Sequence, residues 1–339
     1  MTKLLLLLLF RLSMPSAILA GGSVLHTPLS QSLPQVLPSS QQLLQPPLPQ
    51  NEPLYRPIVF WHGMGDSCCN PESLGRLVAT AQRILPGVFV HSVQLGSTLE
   101  QDKEASFFGV VNDQIQQACE QIQQIPELAH GFNAVGLSQG GLFLRAVAQQ
   151  CDSVPQMHTL ITFGSPHGGV SDVPNCIDSA DASCVLMRSI IRTGVYWPWI
   201  QRKVVQAQYF KQYTHLDQYL EKSAFLADIN NEREGATHSA YAHRIKRLDK
   251  LILVQFENDT MVVPKETAWF SYYNADGVLL PLQEQPVYTH DLLGLKALDL
   301  AGRLDFISLP GNHLHLPENT FEDLLSTYFS EDVSSLLDS

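Results

Sequence analysis

The sequence at 136–140, G-L-S-Q-G, constrains the fold more than any other part of the chain, because it has the G-x-S-x-G spacing of a nucleophile elbow. Apolar residues from Phe132 onward precede it as in a short buried strand, and apolar residues follow it at helical spacing. Side chains in place of Gly136 or Gly140 would collide with a neighbouring strand or helix. The motif therefore predicts a strand, a sharp turn and a helix, with the Ser138 hydroxyl raised above a sheet. The alternative is a glycine-rich turn with an idle serine.

Strand and helix patterns alternate through the region 53–339, which we interpret as the folded domain. Alternating units of this kind form a mostly parallel sheet covered by helices, so the sequence predicts an α/β-hydrolase fold. Strands are predicted at 58–61, 88–95, 132–137, 158–163, 250–256 and 304–309, and helices at 72–85, 103–125 and 318–329, besides the helix after the elbow.

Residues 168–246 interrupt this alternation with a mostly helical pattern that is rich in large aromatic residues. In this fold class an insertion after a central strand commonly forms a lid over the active site, and its rings could line an apolar acyl groove. The alternative is that the rings form the core of the insertion itself. The aromatic residues are Tyr196, Trp197, Trp199, Tyr209, Phe210, Tyr213, Tyr219 and Phe225.

Residues 1–22 have the pattern of a secretory signal peptide, with Lys3, an apolar run and small residues near Ala20. The apolar run is shorter than the roughly 20 residues that span a bilayer, so no transmembrane segment is expected. Residues 23–52 are rich in Pro, Gln and Ser, which predicts a disordered linker. The net charge of -12, from 33 acidic and 21 basic residues, argues against a nucleic-acid partner and supplies no basic patch for anionic membranes.

Six cysteines behind a signal peptide imply disulfide bonds. Cys119 and Cys151 are expected on two helices beside the strand that carries Ser138, where a bridge would clamp those helices. Cys176 and Cys184 would close a short loop near the start of the insertion.

The adjacent residues Cys68 and Cys69 leave two alternatives, a strained bridge between them or separate partners. Metal binding is the remaining alternative for the cysteines, but no C-x-x-C pair or H-E-x-x-H motif supports it. No metal and no cofactor is therefore expected.

A serine hydroxyl is a weak nucleophile unless a neutral histidine takes its proton and a carboxylate holds that histidine in the right tautomer. In this fold the order along the chain is serine, acid, histidine, with the acid and the base on loops after later strands. Asp259 directly follows the predicted strand 250–256 and His313 directly follows 304–309, so we predict a triad of Ser138, Asp259 and His313. The candidates that fit these strand ends less well are Glu257, Asp276 and Asp291 for the acid and His290 and His315 for the base.

Two backbone N–H groups are expected to bind the oxyanion of the reaction. One belongs to Gln139, directly after the nucleophile. The other is assigned to Met64 in the loop 61–66, whose glycines allow a close approach of the backbone. His62 in this loop is interpreted as a residue that orients the loop by hydrogen bonding rather than as the catalytic base.

The segments 61–71 (WHGMGDSCCNP) and 136–141 (GLSQGG) closely resemble the palmitoyl-protein thioesterases, as do shorter segments at 143–149, 225–230, 258–260 and 294–296. The resemblance extends from residue 53 to residue 329 and favours the lysosomal type 1 branch. It implies that Ser138, Asp259 and His313 form the triad, that Met64 and Gln139 are the oxyanion donors, that three local disulfides include a Cys68–Cys69 pair, and that a lid shapes a groove for a long acyl chain.

The expected function is that of a serine hydrolase that removes long-chain fatty acyl groups from S-acylated cysteines of proteins or peptides. The expected destination is the lumen of a lysosome or vacuole, or the medium, through the secretory pathway. Two alternatives remain open: a lipase or carboxylesterase on the same scaffold, and a binding protein that presents the acyl groove without catalysis.

The sequence Asn258-Asp259-Thr260 is the only N-x-S/T motif in the chain, so Asn258 is the expected site of N-glycosylation. Successive side chains of an extended loop point in opposite directions. Asn258 is therefore expected to face solvent while Asp259 faces His313.

Overall fold

The structure is a computed structural model that describes residues 55–172, 194–233 and 238–330. These residues lie within one compact unit, Asn51–Ser339. The strands of the main sheet are β1 (Ile58–Trp61), β2 (Val90–Ser92), β3 (Phe132–Leu137), β4 (Met157–Phe163), β5 (Lys250–Phe256) and β8 (Leu304–Leu309), while β6 (Tyr272–Tyr273) and β7 (Leu279–Leu280) form a separate antiparallel pair. The sheet order is β2-β1-β3-β4-β5-β8, and every neighbouring pair is parallel. The parallel sheet confirms the predicted α/β-hydrolase class.

Helices connect the strands and cover the sheet. They are α1 (Leu74–Ile84), α2 (Leu99–Ala105), α3 (Val111–Gln123), α4 (Gln139–Gln150), α5 (Pro198–Gln201), α6 (Val205–Gln208), α7 (Leu216–Lys222), α8 (Leu226–Ile229), α9 (His238–Ile245), α10 (Pro286–Thr289), α11 (Leu295–Leu300) and α12 (Glu318–Phe329). Single 3₁₀ turns lie at Pro126–Leu128, Tyr213–His215, Lys265–Trp269 and Leu282–Glu284.

The sheet has a hydrophobic core on each face. On one face Phe321 and Leu325 of α12 pack with Leu77 of α1 against the sheet. On the other face the core contains Ile115 of α3 and Val147 of α4. Burial of both faces explains why the central strands are almost continuously apolar, as parallel strands covered by helices are.

The predicted helix at 103–125 is wrong, because the structure has two helices there, α2 and α3, separated by a loop. Gly109 in this loop has a φ of +136°, which an L side chain rarely adopts, and Val110 is extended. Phe108 instead forms a β-bridge with Val204 of the insertion. The apolar residues keep helical spacing across the break, and this spacing produced the error.

The insertion between β4 and β5 consists of short helices in its described part, as the sequence predicts. Most of its aromatic rings are buried in a core that the insertion shares with the main sheet, α3 and α4. They are Tyr196, Tyr209, Phe210, Tyr219 and Phe225. Trp197 and Trp199 are exposed, with exposed fractions of 50% and 37%, and Tyr213 is half-buried against Tyr273. The five buried rings therefore pack a core that joins the insertion to the rest of the domain.

The predicted signal peptide, the predicted linker, Cys176 and Cys184 lie outside the described residues. Among the helices that the structure does describe, none combines the length and the apolar character needed to cross a bilayer.

Candidate active site

Ser138 forms the turn between β3 and α4 in a conformation that is rare for a residue other than glycine, with φ 52° and ψ -125°. A Cβ atom on Gly136 would overlap the backbone of Gly141, and one on Gly140 would overlap the carbonyl oxygens of Trp61 and His62. These contacts are the collisions that the G-x-S-x-G motif predicts. The strained turn raises the serine hydroxyl at the carboxyl end of the sheet.

Three of the predicted residues form one continuous chain of hydrogen bonds. The Ser138 Oγ lies 3.0 Å from the His313 Nε2, and the His313 Nδ1 lies 2.6 Å from the Asp259 Oδ2. Because the carboxylate accepts the proton of Nδ1, the neutral imidazole has its lone pair on Nε2, where it can accept the proton of the serine hydroxyl. The arrangement can activate Ser138 as a nucleophile.

The surroundings of Asp259 and His313 fix both side chains. The second oxygen of Asp259 accepts hydrogen bonds from the amides of Met261 and Val262, at 2.9 and 3.0 Å, so the carboxylate cannot rotate freely. The His313 ring packs edge to face against Phe256 at 6.3 Å between centroids. The amides that hold Asp259 are two and three residues after it, and sequence reasoning did not identify them.

The loop assigned to the oxyanion lies against Ser138. A Cβ on Gly63 would be 3.1 Å from the Ser138 Cβ, which places the backbone of the Met64 loop beside the nucleophile. Ser106 holds both sides of the site: its Oγ accepts from the Gly65 amide at 2.8 Å, and its carbonyl accepts from the Gln139 side chain at 2.9 Å. The Gln139 amide is at the first position of α4, where a helix offers no acceptor of its own.

A buried His62–Asp102 pair supports this loop from behind. The His62 Nδ1 lies 2.9 Å from the Gly63 carbonyl oxygen and its Nε2 lies 3.1 Å from the Asp102 Oδ1. The ring is thus held between the Gly63 carbonyl and the Asp102 carboxylate, which fixes its orientation. The interpretation of His62 as an orienting residue fits these contacts.

Asp102 is fully buried and accepts three hydrogen bonds. Besides His62, the amides of Leu95 and Cys68 donate to it at 2.7 and 2.8 Å. Burial alone would raise the pKa of Asp102, but the hydrogen bonds and the charge of His62, with the two amides, outweigh it and lower the pKa. Asp102 is the main site residue that sequence reasoning missed.

Comparison with known proteins decides the family. The family model described as palmitoyl protein thioesterase matches residues 57–313, which is more than half of the chain. The chain belongs to the palmitoyl protein thioesterase family. It is 42% identical over 276 residues to palmitoyl-protein thioesterase 1 of Caenorhabditis elegans, a match that covers 80% of this chain and 91% of the relative.

Two further relatives support this membership. Palmitoyl-protein thioesterase 3 of Dictyostelium discoideum is 34% identical over 278 residues, with 81% of this chain and 90% of the relative covered. Lysosomal thioesterase PPT2 of Rattus norvegicus is 29% identical over 251 residues, with 74% and 79% covered. The resemblance of the segments 61–71 and 136–141 to this family is thus confirmed across the folded domain.

The other sequence-based candidates for the catalytic acid and base of this thioesterase lie away from the hydrogen-bonded chain. Each of them is exposed, caps a helix or binds a surface hydroxyl. Glu257 accepts from Ser308, Asp276 is exposed in the turn between β6 and β7, Asp291 accepts from the Lys296 amide at the start of α11, and His290 and His315 are exposed.

The cysteines of the thioesterase differ in their state. Cys119 and Cys151 form a disulfide bond that joins α3 to the end of α4, as predicted. Cys68 is a buried free thiol and Cys69 an exposed one, so the bridge implied by the family resemblance is not present here and stays a prediction. Burial, together with the neighbouring Cys69 and Asp102, raises the pKa of the Cys68 thiol, which is therefore not a reactive thiolate.

Asn258 and Asp259 point in different directions in the thioesterase. Asn258 is exposed, whereas Asp259 is only 9% exposed. The amide of Asn258 donates to the Gly311 carbonyl at 3.0 Å, which joins the Asp259 loop to the His313 loop. Asn258 is thus exposed, as N-glycosylation requires, and its occupancy by a glycan stays a prediction.

A buried polar cluster joins α4 to the insertion. The fully buried Arg145 donates to the side chains of Gln149 and Asn230, at 2.9 and 2.7 Å, and lies over the ring of Phe270. The ring of His167 stacks on that of Phe270, with 4.7 Å between the ring centroids. Burial lowers the pKa of Arg145 to about 9 and that of His167 well below its usual value, so His167 is neutral.

Proposed function

We propose that this thioester hydrolase acts through Ser138 as nucleophile, His313 as general base and acid, and Asp259 as the residue that holds His313. The observation that carries the proposal is the continuous chain of hydrogen bonds from Asp259 to Ser138, at 2.6 and 3.0 Å. A chain of this kind supplies the proton transfer and the tautomer that a serine nucleophile needs.

The reaction begins when the Ser138 Oγ attacks the carbonyl carbon of the thioester and the His313 Nε2 takes the hydroxyl proton. The negative charge that develops on the carbonyl oxygen is bound by the amides of Met64 and Gln139. The carbon–sulfur bond then breaks. Because a cysteine thiol has a pKa of about 8.5, the sulfur leaves with little help from a general acid, and His313 returns the proton.

The second half of the reaction removes the acyl group from the enzyme. His313 takes a proton from water, whose oxygen attacks the acyl carbon of the Ser138 ester. The ester bond breaks and the proton passes to the Ser138 oxygen. The products are a fatty acid and the regenerated serine.

The substrates that we propose are S-acylated proteins or their degradation peptides with long acyl chains. A cavity of about 190 Å³ beneath the insertion supports an apolar acyl site. Its walls include Leu220, Phe270 and Val287, together with Gly168. Four residues before Gly168, a Cβ added to Gly164 would be 3.0 Å from the His313 ring. We propose that the insertion at 168–246 acts as a lid over this region of the domain 53–339.

The proposed location is the lumen of a lysosome or vacuole, reached through the signal peptide 1–22. One relative is named a lysosomal thioesterase, and the cysteine bridge between α3 and α4 suits an oxidising compartment. Residues 23–52 are proposed as a linker between the signal peptide and the folded domain.

The test compares the initial rates of wild type and Ser138→Ala on a palmitoyl-cysteine peptide, palmitoyl-CoA and a triglyceride. We expect rapid hydrolysis of the peptide by wild type and a loss of orders of magnitude in Ser138→Ala. Faster hydrolysis of the triglyceride would identify a lipase instead. Binding of the peptide without turnover by wild type would identify a non-catalytic acyl-binding protein.

A further inference from the structure

Two tryptophans of the insertion are exposed although the rest of its aromatic core is buried. Trp197 and Trp199 have exposed fractions of 50% and 37%, and their rings lie 6.4 Å apart. An exposed pair of indoles is unusual, because burial of apolar side chains of this size stabilises the folded protein. The pair therefore indicates a surface that contacts something outside the protein.

The backbone holds the tryptophan pair in place. The Trp197 amide donates to the Gly194 carbonyl at 3.0 Å, and the Trp197 carbonyl accepts from the amides of Ile200 and Gln201 at 2.9 and 3.0 Å. The buried side chain of Gln201 donates to the carbonyls of Val195 and Ala207. The two indoles are thus displayed by a turn that is fixed on its inner side.

Two cations follow the tryptophans in the sequence. Arg202 and Lys203 follow α5 directly, are exposed, and form no ion pair within the described ranges. No acidic residue occurs in the sequence between Gly194 and Asp217. We call Trp197, Trp199, Arg202 and Lys203 the tryptophan rim. The overall charge of -12 predicts no basic patch for anionic membranes, but Arg202 and Lys203 place two exposed cations in the same segment as the exposed indoles.

The tryptophan rim is connected to the oxyanion loop by short contacts. The Lys203 carbonyl accepts from the Gly109 amide, and the Val205 amide donates to the Phe107 carbonyl, both at 3.0 Å. The ring of Phe107 in turn lies against Gly65, since a Cβ added there would be 3.2 Å from the tip of that ring. The Lys203 end of the rim is thus joined through residues 107–109 to the loop that contains Gly65.

We propose that the tryptophan rim docks this protein onto an anionic lipid surface. Indoles partition to the headgroup level of a bilayer, and adjacent Arg and Lys side chains are attracted to anionic lipids. The negative charge of the rest of the molecule disfavours other orientations at such a surface, so the rim makes the first contact. Docking next to the active site lets a long acyl chain pass from the lipid surface to the enzyme with little exposure to water.

The docking proposal does not depend on catalysis, and Ser138→Ala protein tests it. Binding is measured by sedimentation with vesicles of phosphatidylcholine alone and of an equimolar phosphatidylcholine and phosphatidylserine mixture. We expect the protein to bind the mixed vesicles, and we expect added salt to weaken this binding. Replacing both cations, Arg202→Ser and Lys203→Ser, is expected to weaken it about thirtyfold. Replacing both indoles, Trp197→Ala and Trp199→Ala, is expected to weaken it about tenfold or more.

Matched controls separate the rim from general surface effects. Leu300→Ala removes an exposed apolar side chain and Arg76→Ser an exposed cation, and neither lies in the rim. We expect both to bind as the parent does, and thermal unfolding checks that every variant is folded. Lipids with brominated chains should quench the fluorescence of the parent but not of the double tryptophan variant, because the remaining Trp61 is buried and Trp269 is partly buried.

Three results would overturn the docking proposal. They are absence of parent binding to the mixed vesicles, parent-like binding by the double tryptophan variant, and equal losses in the Leu300→Ala control. Two results together would identify a protein partner instead. The parent would fail to bind vesicles, and rim variants that keep Ser138 would lose activity on a water-soluble acyl-protein. Failure of wild type to hydrolyse any thioester would count against the proposed function and leave the binding result standing.

Discussion

Replacing Asp102 by asparagine tests whether the buried pair behind the oxyanion loop positions that loop. The Asp102 carboxylate accepts from the ring of His62 and from the amides of Leu95 and Cys68. An asparagine has one NH₂ group in place of an oxygen, so in either orientation it directs a donor at a donor. The change also leaves the buried ring of His62 without its carboxylate acceptor.

The magnitude follows from these contacts. Leaving a buried hydrogen-bond donor without its acceptor costs about 1–3 kcal/mol. We therefore expect the free energy of unfolding of Asp102→Asn to fall by that amount. The Met64 amide should shift, and since loss of one oxyanion donor costs about a hundredfold or more in kcat, we expect kcat to fall about ten- to a hundredfold with a smaller change in KM.

The assay is urea unfolding together with steady-state kinetics on a thioester, at a temperature where the variant stays folded. Asp249→Asn is the matched control, because Asp249 pairs with His158 at 2.6 Å but is 57% exposed. A surface pair of this kind contributes about 0–1 kcal/mol, so the control should lose little stability and no kcat.

The pH dependence of stability gives a second readout of the same variant. The pKa of Asp102 lies below its ordinary value of 3.8, so the ionised carboxylate stabilises the folded state above that pH. This contribution to stability is lost as the pH falls through the pKa of Asp102 in the folded protein, because the carboxylate is then protonated in the folded and the unfolded state alike. The stability gap between wild type and Asp102→Asn should therefore narrow below about pH 4. A loss below about 1 kcal/mol with unchanged kcat would refute the positioning argument.

Three further changes have defined outcomes. Gly140→Ala should destabilise the fold by at least about 3 kcal/mol, since its methyl would meet two carbonyl oxygens. In the control Gly302→Ala the methyl has open space, so only about 1–2 kcal/mol of backbone strain is expected. Equal losses of the two variants in urea unfolding would contradict this. Cys119→Ser with Cys151→Ser opens a loop with a sequence separation of 32 and should cost about 3–4 kcal/mol, and a Tm unchanged from wild type would count against the clamp. Asn258→Gln should remove the glycan seen by mass spectrometry with little change in turnover per folded molecule, and a large loss of kcat would show that the glycan or Asn258 acts in catalysis.

The elbow and the strand ends could be predicted because their rules are local. Only glycine fits at 136 and 140, and the chemistry places the acid and base directly after β5 and β8, so a short sequence window carries the information. Asp102 lacks such a signal. Its partners Cys68 and His62 are 34 and 40 residues away, and only the folded loop brings them together.

The break between α2 and α3 could not be read from apolar spacing either. The side chains keep the helical period, and the decisive contact, between Phe108 and Val204, joins residues far apart in sequence. The exposure of Trp197 and Trp199 could not be predicted from the sequence either. Their neighbours Tyr196 and Tyr209 are buried, and composition does not distinguish rings that pack the insertion from rings that leave it.

The most direct test of the central claim is to identify the residue that carries the acyl group during turnover. Wild type is mixed with a palmitoyl-cysteine peptide, quenched with acid in the steady state, digested and analysed by mass spectrometry, with Ser138→Ala in parallel. We predict one palmitoyl group on Ser138 in wild type and none on any residue of Ser138→Ala, whose turnover is lost. An acyl group on the exposed thiol of Cys69, or turnover by Ser138→Ala at the wild-type rate, would contradict the account.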